Sequence, residues 1–256
     1  MPTWSSEQYL KFAGERTRAA EDLAARVAVA APARVMDLGC GPGNSTEVLA
    51  KRWPQAQLTG LDSSAAMLAS ARTARPQWDW VEGNIATWRA ERPYPVVYSN
   101  AALQWVPDHG RLLPQLLEQV APGGALAAQV PANFHAPAHR LMRDLAGSAA
   151  WRAHFRESVR EWHVETPDFY YATRAPHAER VDLWTTEYFH VMANHRALVE
   201  WYRGTGLRPF LDALPDELAR ARFLAEYETA LAGEYPAQPD GRVLFPFLRL
   251  FFVAYR

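Results

Sequence analysis

A single cysteine, Cys40, among 256 residues leaves nothing for an internal disulfide, so the fold must rest on a hydrophobic core, and a reducing cytoplasm suits it. The formal net charge is only −1, which gives no basic excess for a nucleic-acid or membrane-surface partner. Long apolar runs are also missing. Met1 to Phe12 carries Glu7 and Lys11, and Arg26 and Pro32 interrupt the alanine-rich stretch that follows, so neither a signal peptide nor a membrane span is expected. There is no internal repeat and no low-complexity tract. His135 and His139 have helical ligand spacing, but Pro137 separates them and no third ligand is evident, so no metal is expected. What the chain does have is 49% hydrophobic residues, enough to bury a substantial core in one elaborated α/β domain.

Helical and strand periods alternate along it. Residues 6–28 read as an amphipathic helix, 33–38 as a strand, 45–52 as a helix and 57–62 as a second strand. A helix over 64–74 is capped by Ser63 or Ser64, and a third strand lies near 78–82. Pro95–Ser99 forms a short buried strand ending in Asn100, followed by a helix at about 109–120, a turn at Pro122-Gly123-Gly124 and a strand at 125–130. This alternation predicts a mostly parallel, doubly wound sheet with ligands at the strands' C-terminal ends. Beyond Pro131, helical segments around 138–163 lead to a strand at Asp182–Met192, a helical stretch over about 195–234 and a last strand at Leu248–Tyr255. The core is thus expected at about 30–135, 180–192 and 248–256, with helical lid segments at about 136–178 and 195–246.

The most informative run is Val35-Met-Asp37-Leu-Gly39-Cys-Gly41-Pro-Gly43, a strand entering a glycine-rich turn, with Asp62 at the end of the next strand. The glycines let backbone amides approach a ligand, and a carboxylate at the second strand's tip can accept from both hydroxyls of a ribose. A dinucleotide fingerprint needs a third glycine where Asn44 stands, and Asp37 would repel a pyrophosphate. The run instead resembles the first motif of the class I S-adenosylmethionine methyltransferases, whose cofactor carries a cationic amino group that suits Asp37. Two further segments fall at the same crevice. Asn84 and Ile85 follow the third strand, where an acidic residue usually accepts from the adenine amino group, and Asn84 can still accept through its amide oxygen. Asn100, Gln104 and Trp105 follow the fourth, where the methyl donor should lie, and Trp105 reads equally as a core aromatic and as a substrate wall.

The whole chain is similar to the trans-aconitate 2-methyltransferase family. The motifs that carry the resemblance are Tyr9-Leu-Lys-Phe-Ala-Gly-Glu-Arg16-Thr-Arg18, Asp37 to Thr46, Gly60-Leu-Asp-Ser-Ser-Ala-Ala-Met67, Asn100 to His109, Thr205-Gly-Leu-Arg208-Pro209 and Arg249 to Ala254. Asn84 departs from an expected aspartate, and Val130-Pro-Ala-Asn-Phe134 from a Met-Pro-Asp-Asn-Trp type segment. The resemblance implies a Rossmann-like fold with helical lid insertions and methyl transfer from S-adenosylmethionine to a carboxylate of trans-aconitate. Arg16, Asp37, Gly39, Gly41, Asp62, Ser63, Met67, Asn84, Ile85 and Asn100 would then hold the cofactor. Gln104 and Trp105 would position the reactants, and Tyr9, Arg18, Arg174, Arg208 and Arg249 would bind the acid, with Arg208 and Arg249 clamping the carboxylates that do not react. No general base is required, because a carboxylate is already anionic at neutral pH. His109 reads as a first-turn helix residue. The expected protein is a monomer working in the cytoplasm on a small polycarboxylic acid. The alternatives are a methyltransferase for another small acceptor and a module that binds S-adenosylmethionine without catalysis.

Overall fold

The computed structural model describes residues 13–155 and 162–256, apart from the side chains of Ala13, Glu15 and Arg16. Helix α1 (Ala13–Arg26) precedes strand β1 (Arg34–Leu38), and the glycine turn leads into α2 (Asn44–Arg52). Then come β2 (Gln57–Asp62), α3 (Ala65–Ala74), β3 (Asp79–Glu82), β4 (Tyr94–Asn100), α4 (His109–Glu118) and β5 (Val120–Pro131). The later elements are α5 (Pro137–Gly147), α6 (Pro167–Arg174), β6 (Arg180–Met192), α7 (His195–Arg203), α8 (Arg208–Asp212), α9 (Glu217–Glu234) and β7 (Val243–Tyr255). The strands form one sheet in the order β3-β2-β1-β4-β5-β7-β6. The pairings β1·β2, β1·β4, β2·β3 and β4·β5 are parallel, and β7 runs antiparallel to β5. This is the expected α/β class.

Side-chain caps explain several boundaries. Ser64 starts α3 by accepting from the Met67 amide, and Asp108, Asn194 and Asp216 do the same for α4, α7 and α9. The long helical stretch expected over 195–234 is three helices, because Gly204 ends α7 and Pro215 stands just before the cap of α9. β5 runs straight through Pro122-Gly123-Gly124 instead of starting after it. The register moves from Tyr94↔Val120 to Val96↔Ala125, so the glycine turn is a bulge within the strand. A Cβ at Gly124 would meet the Pro95 carbonyl oxygen at 2.5 Å, which explains that glycine. β7 begins at Val243, earlier than expected, with Val243, Phe245 and Phe247 buried.

The chain divides into two compact units. The first comprises Met1–Pro131, Trp162–Thr186 and Arg249–Arg256, and the second Ala132–Glu161 and Glu187–Leu248. Residues 162–178, assigned above to the lid, therefore group with the sheet: Tyr170 of α6 is fully buried and packs on Phe252 with ring centroids 5.7 Å apart. In the first unit Leu23, Leu38, Tyr98, Phe251 and Phe252 are buried, each worth about 1.5–3 kcal/mol, and the Tyr98 hydroxyl ties α1 to the sheet by donating to the Ala20 carbonyl at 2.8 Å. The second unit has its own aromatic core, including Tyr202, Phe223, Tyr227 and Phe245. No described helix is long and apolar enough to cross a membrane.

Candidate active site

The glycine turn sits at the C-terminal ends of β1 and β2. Gly39 (φ +73°) must lack a side chain, because a Cβ there would lie 2.2 Å from the Ala102 Cβ. Its amide and that of Cys40 donate to the Leu61 carbonyl at 2.7 and 3.1 Å, closing the turn on β2. Gly41 (φ +55°) has open space where its side chain would be, so its backbone face is available to a ligand. Asp62 organises this corner: it accepts from the Gly41 amide at 2.9 Å and from the Ser64 amide at 2.8 Å, one bond to each carboxylate oxygen. A carboxylate has about four acceptor sites, so acceptor capacity remains for hydroxyl groups. Burial raises the Asp62 pKa, and the amide bonds oppose that shift. Ser63 is exposed beside it, and Met67 is buried in the first turn of α3.

Asp37 is buried beneath the turn. Its Oδ2 accepts from the hydroxyls of Ser45 at 2.7 Å and Thr46 at 2.6 Å, while Oδ1 has no hydrogen-bond partner among the described residues. Ser45 and Thr46 were not singled out from sequence, although two hydroxyl residues opening the helix after the turn were a readable signal. Burial pushes the Asp37 carboxyl up to about 6 against those two bonds, and the Asp62 charge adds to the rise. Because the folded pKa lies above the unfolded one, the group's stabilisation is complete below about pH 4 and is lost as pH rises through about 6. A shift of that size corresponds to about 3 kcal/mol at most. Asp37→Asn should therefore raise the melting temperature at pH 8 and have little effect at pH 4, as scanning calorimetry at both values would show. Equal shifts at the two values would mean that the carboxyl is not perturbed.

The other expected cofactor contacts are of three kinds. Asn84 is exposed, and its Oδ1 accepts from the Ala86 amide at 3.0 Å, keeping one lone pair for another donor. Ile85 is buried, with its Cδ1 3.5 Å from where a Gly39 side chain would begin. Asn100 ends β4 with a buried Oδ1 that has no partner among the described residues. The next residue, Ala101, takes φ +54°, a left-handed conformation costing a non-glycine residue about 1–3 kcal/mol. Its amide donates to the Gln129 carbonyl at 2.9 Å, and its carbonyl accepts from Gln104 Nε2 at 2.7 Å. Gln104 is thus held from below, and its buried Oε1 has no partner among the described residues. Trp105 is half-buried, 6.1 Å centroid to centroid from Trp162.

His109 is buried and fully engaged: Nε2 lies 2.9 Å from the Leu103 carbonyl and Nδ1 lies 2.8 Å from the Tyr170 hydroxyl. The carbonyl can only accept, so Nε2 carries the proton and Nδ1 accepts from tyrosine. Burial lowers the pKa of this imidazole. It pins α4 to α6 and has no free lone pair for a substrate proton.

The candidate acid-binding residues are dispersed. Tyr9 and the Arg16 side chain lie outside the described residues, and Arg18 is exposed on α1. Arg174, at the end of α6, is fully buried. Its guanidinium carbon lies 3.6 Å from the centroid of the Phe252 ring and 5.0 Å from that of Tyr170, and none of its nitrogens has a hydrogen-bond acceptor among the described residues. Burial lowers its pKa to about 9. Arg249 is also buried and donates through Nη1 to Gln129 Oε1 at 3.2 Å. Phe252 and Arg249 are three residues apart on β7 and so face opposite sides of the sheet, which puts the two guanidiniums on opposite faces. Arg208 belongs to the second unit, where it lines a cavity of about 330 Å³ with Arg196, Arg203, Arg220, Asp212 and Glu217. Its Nε lies 3.6 Å from Asp212 Oδ2. Neither unit alone contains both arginines of the expected clamp.

The chain that carries this glycine turn and its two acids at adjacent strand tips is similar to known proteins. A sequence family described as a methyltransferase domain matches residues 35–124. The YcgJ protein of Bacillus subtilis, a solved structure, shares the fold at TM-score 0.58 with 12% identity, over 93% of this chain and 99% of that one. The trans-aconitate 2-methyltransferase of Azoarcus sp. (strain BH72) is 51% identical over 256 residues, all of both chains. That of Methylobacterium nodulans is 52% identical over 100% of this chain and 99% of its own. Identity at that level, carried end to end, means that the chain belongs to the trans-aconitate 2-methyltransferase family.

Proposed function

We propose that the protein transfers the methyl group of S-adenosylmethionine to a carboxylate of trans-aconitate, giving the monomethyl ester and S-adenosylhomocysteine. The observation that supports this acceptor is Arg174, a fully buried guanidinium whose nitrogens have no acceptor among the described residues. A neutral acceptor would leave that charge stranded, whereas a polycarboxylate supplies the missing anion. The reading includes a monomer acting in the cytoplasm.

The residues of the first unit fit the cofactor. Asp37 and Asn100 each present a buried oxygen without a partner among the described residues, suited to an ammonium donor, and Asp62 keeps acceptor capacity for ribose hydroxyls. S-adenosylmethionine supplies, when bound, a methyl group activated by a sulfonium. The chain's own part is to orient the acid, hold its other carboxylates and exclude water, because an ionised carboxylate is already the nucleophile. No proton has to be removed, which agrees with a His109 whose two ring nitrogens are both in use.

Incubation with methyl-labelled S-adenosylmethionine and a panel of di- and tricarboxylic acids tests the reading. Base-labile label should appear in trans-aconitate, and label in none of the acids would refute it. With S-adenosylmethionine saturating, so that protonation of Asp37 does not limit its binding, the rate should fall with pH only as the acid itself becomes protonated, with no limb belonging to an enzyme base. A basic limb that disappears in His109→Asn would contradict this.

A further inference from the structure

Gln129 was not among the residues that the sequence singled out, yet it occupies the centre of the first unit's strand tips. It pairs in register with Asn100 of β4 on one side and with Phe251 of β7 on the other. Residues paired across a sheet share a face, and so do alternate residues of one strand, so Asn100, Gln129 and Arg249 project to the same side. Gln129 is fully buried.

The orientation of its amide follows from chemistry. A guanidinium has donors only, so the group 3.2 Å from Arg249 Nη1 must be the Gln129 carbonyl oxygen. The Nε2 amino group then faces the other way, and it has no acceptor among the described residues. A buried donor left without an acceptor is costly, so the arrangement calls for one. The neighbouring Asn100 has the complementary vacancy, a buried oxygen without a donor among the described residues. One strand tip therefore presents an acceptor and the next a donor. Asp37 projects on the same face as Asn100, because it pairs with Tyr98, two residues earlier on β4. A cation is favoured on the β1–β4 side and an anion on the β5 side.

We propose that Gln129 binds the acceptor acid, its Nε2 donating to a carboxylate, and that Arg249 acts through Gln129 as the positioning residue that fixes which end of the amide faces the site. The inference rests on the polycarboxylate reading above. It assigns the discrimination between cofactor and acceptor to a pair of amides whose polarity is set by one buried arginine.

Gln129→Met and Gln129→Glu test it on the full-length enzyme, with steady-state kinetics for trans-aconitate and calorimetric titration of S-adenosylhomocysteine. Gln129→Met should raise KM for trans-aconitate about 10- to 100-fold, the scale of one hydrogen bond to a charged group, with S-adenosylhomocysteine affinity within about twofold of the parent. Gln129→Glu should lose more, because it turns a donor into an anion facing an anion. The glutamate has the same shape and can pair with Arg249, so it keeps the test available if the methionine variant fails to fold. A loss of S-adenosylhomocysteine affinity in step with activity, or a Gln129→Glu variant with parental KM, would overturn the assignment. A parent enzyme inert toward every polycarboxylate would sink the functional reading itself. A parent active on trans-aconitate, with both Gln129 variants unchanged, would sink only this inference.

Discussion

Asp62→Ala should lose useful affinity for S-adenosylmethionine. The carboxylate holds the Gly41 and Ser64 amides at 2.9 and 2.8 Å, so its removal orphans two backbone donors and frees the glycine turn from the head of α3. The same side chain is the acceptor proposed for the ribose hydroxyls, and hydrogen bonds to a charged group contribute about 1.5–3 kcal/mol each. Loss of two such bonds to the ligand amounts to about 3–6 kcal/mol, or roughly a 10²- to 10⁴-fold weaker Kd. Calorimetric titration with S-adenosylhomocysteine measures it directly. Asp62→Asn should lie between parent and alanine variant, because an amide retains one oxygen for a hydroxyl. Parental affinity in the alanine variant would show that the tip of β2 does not hold the cofactor.

The parts of this site that could be read from sequence are those with a local signature. Asp37, Gly39, Gly41 and Asp62 announce themselves because a strand, a glycine turn and a second strand with an acidic end follow one another within one βαβ unit. Boundaries with a capping residue, such as Ser64 before α3, were readable for the same reason. Gln129 was not, because its significance comes from β7, an antiparallel strand that reaches β5 from the far end of the chain and delivers Arg249 beside it. Arg174 was only one of several candidate arginines. Nothing near it in sequence says that a guanidinium will be enclosed by Tyr170 and Phe252 without an acid among the described residues. The bulge at Gly123-Gly124 misled for a related reason: its composition is that of a turn, and only pairing with β4 keeps it inside a strand.

Arg174→Met should make the protein more stable and its chemistry much worse. In the parent, the depressed pKa of this base has a definite sign: the penalty is absent above about pH 12, builds as pH falls through about 9 and is complete at neutrality. Replacing an enclosed charge by an apolar chain of similar length removes that penalty, on the order of 1–4 kcal/mol, which for a chain of this size raises the melting temperature by roughly 2–10 °C. Activity should move the other way. Losing the partner of a buried substrate carboxylate costs about 2–5 kcal/mol in kcat/KM for trans-aconitate, with affinity for S-adenosylhomocysteine unchanged. Added trans-aconitate should also raise the melting temperature of the parent more than that of the variant, since the parent binds the acid more tightly. The opposing directions are what make the test decisive. A merely structural arginine would lower stability and activity together when removed, and a variant that is less stable yet methylates trans-aconitate at the parental kcat/KM would take away the observation on which the acceptor assignment stands.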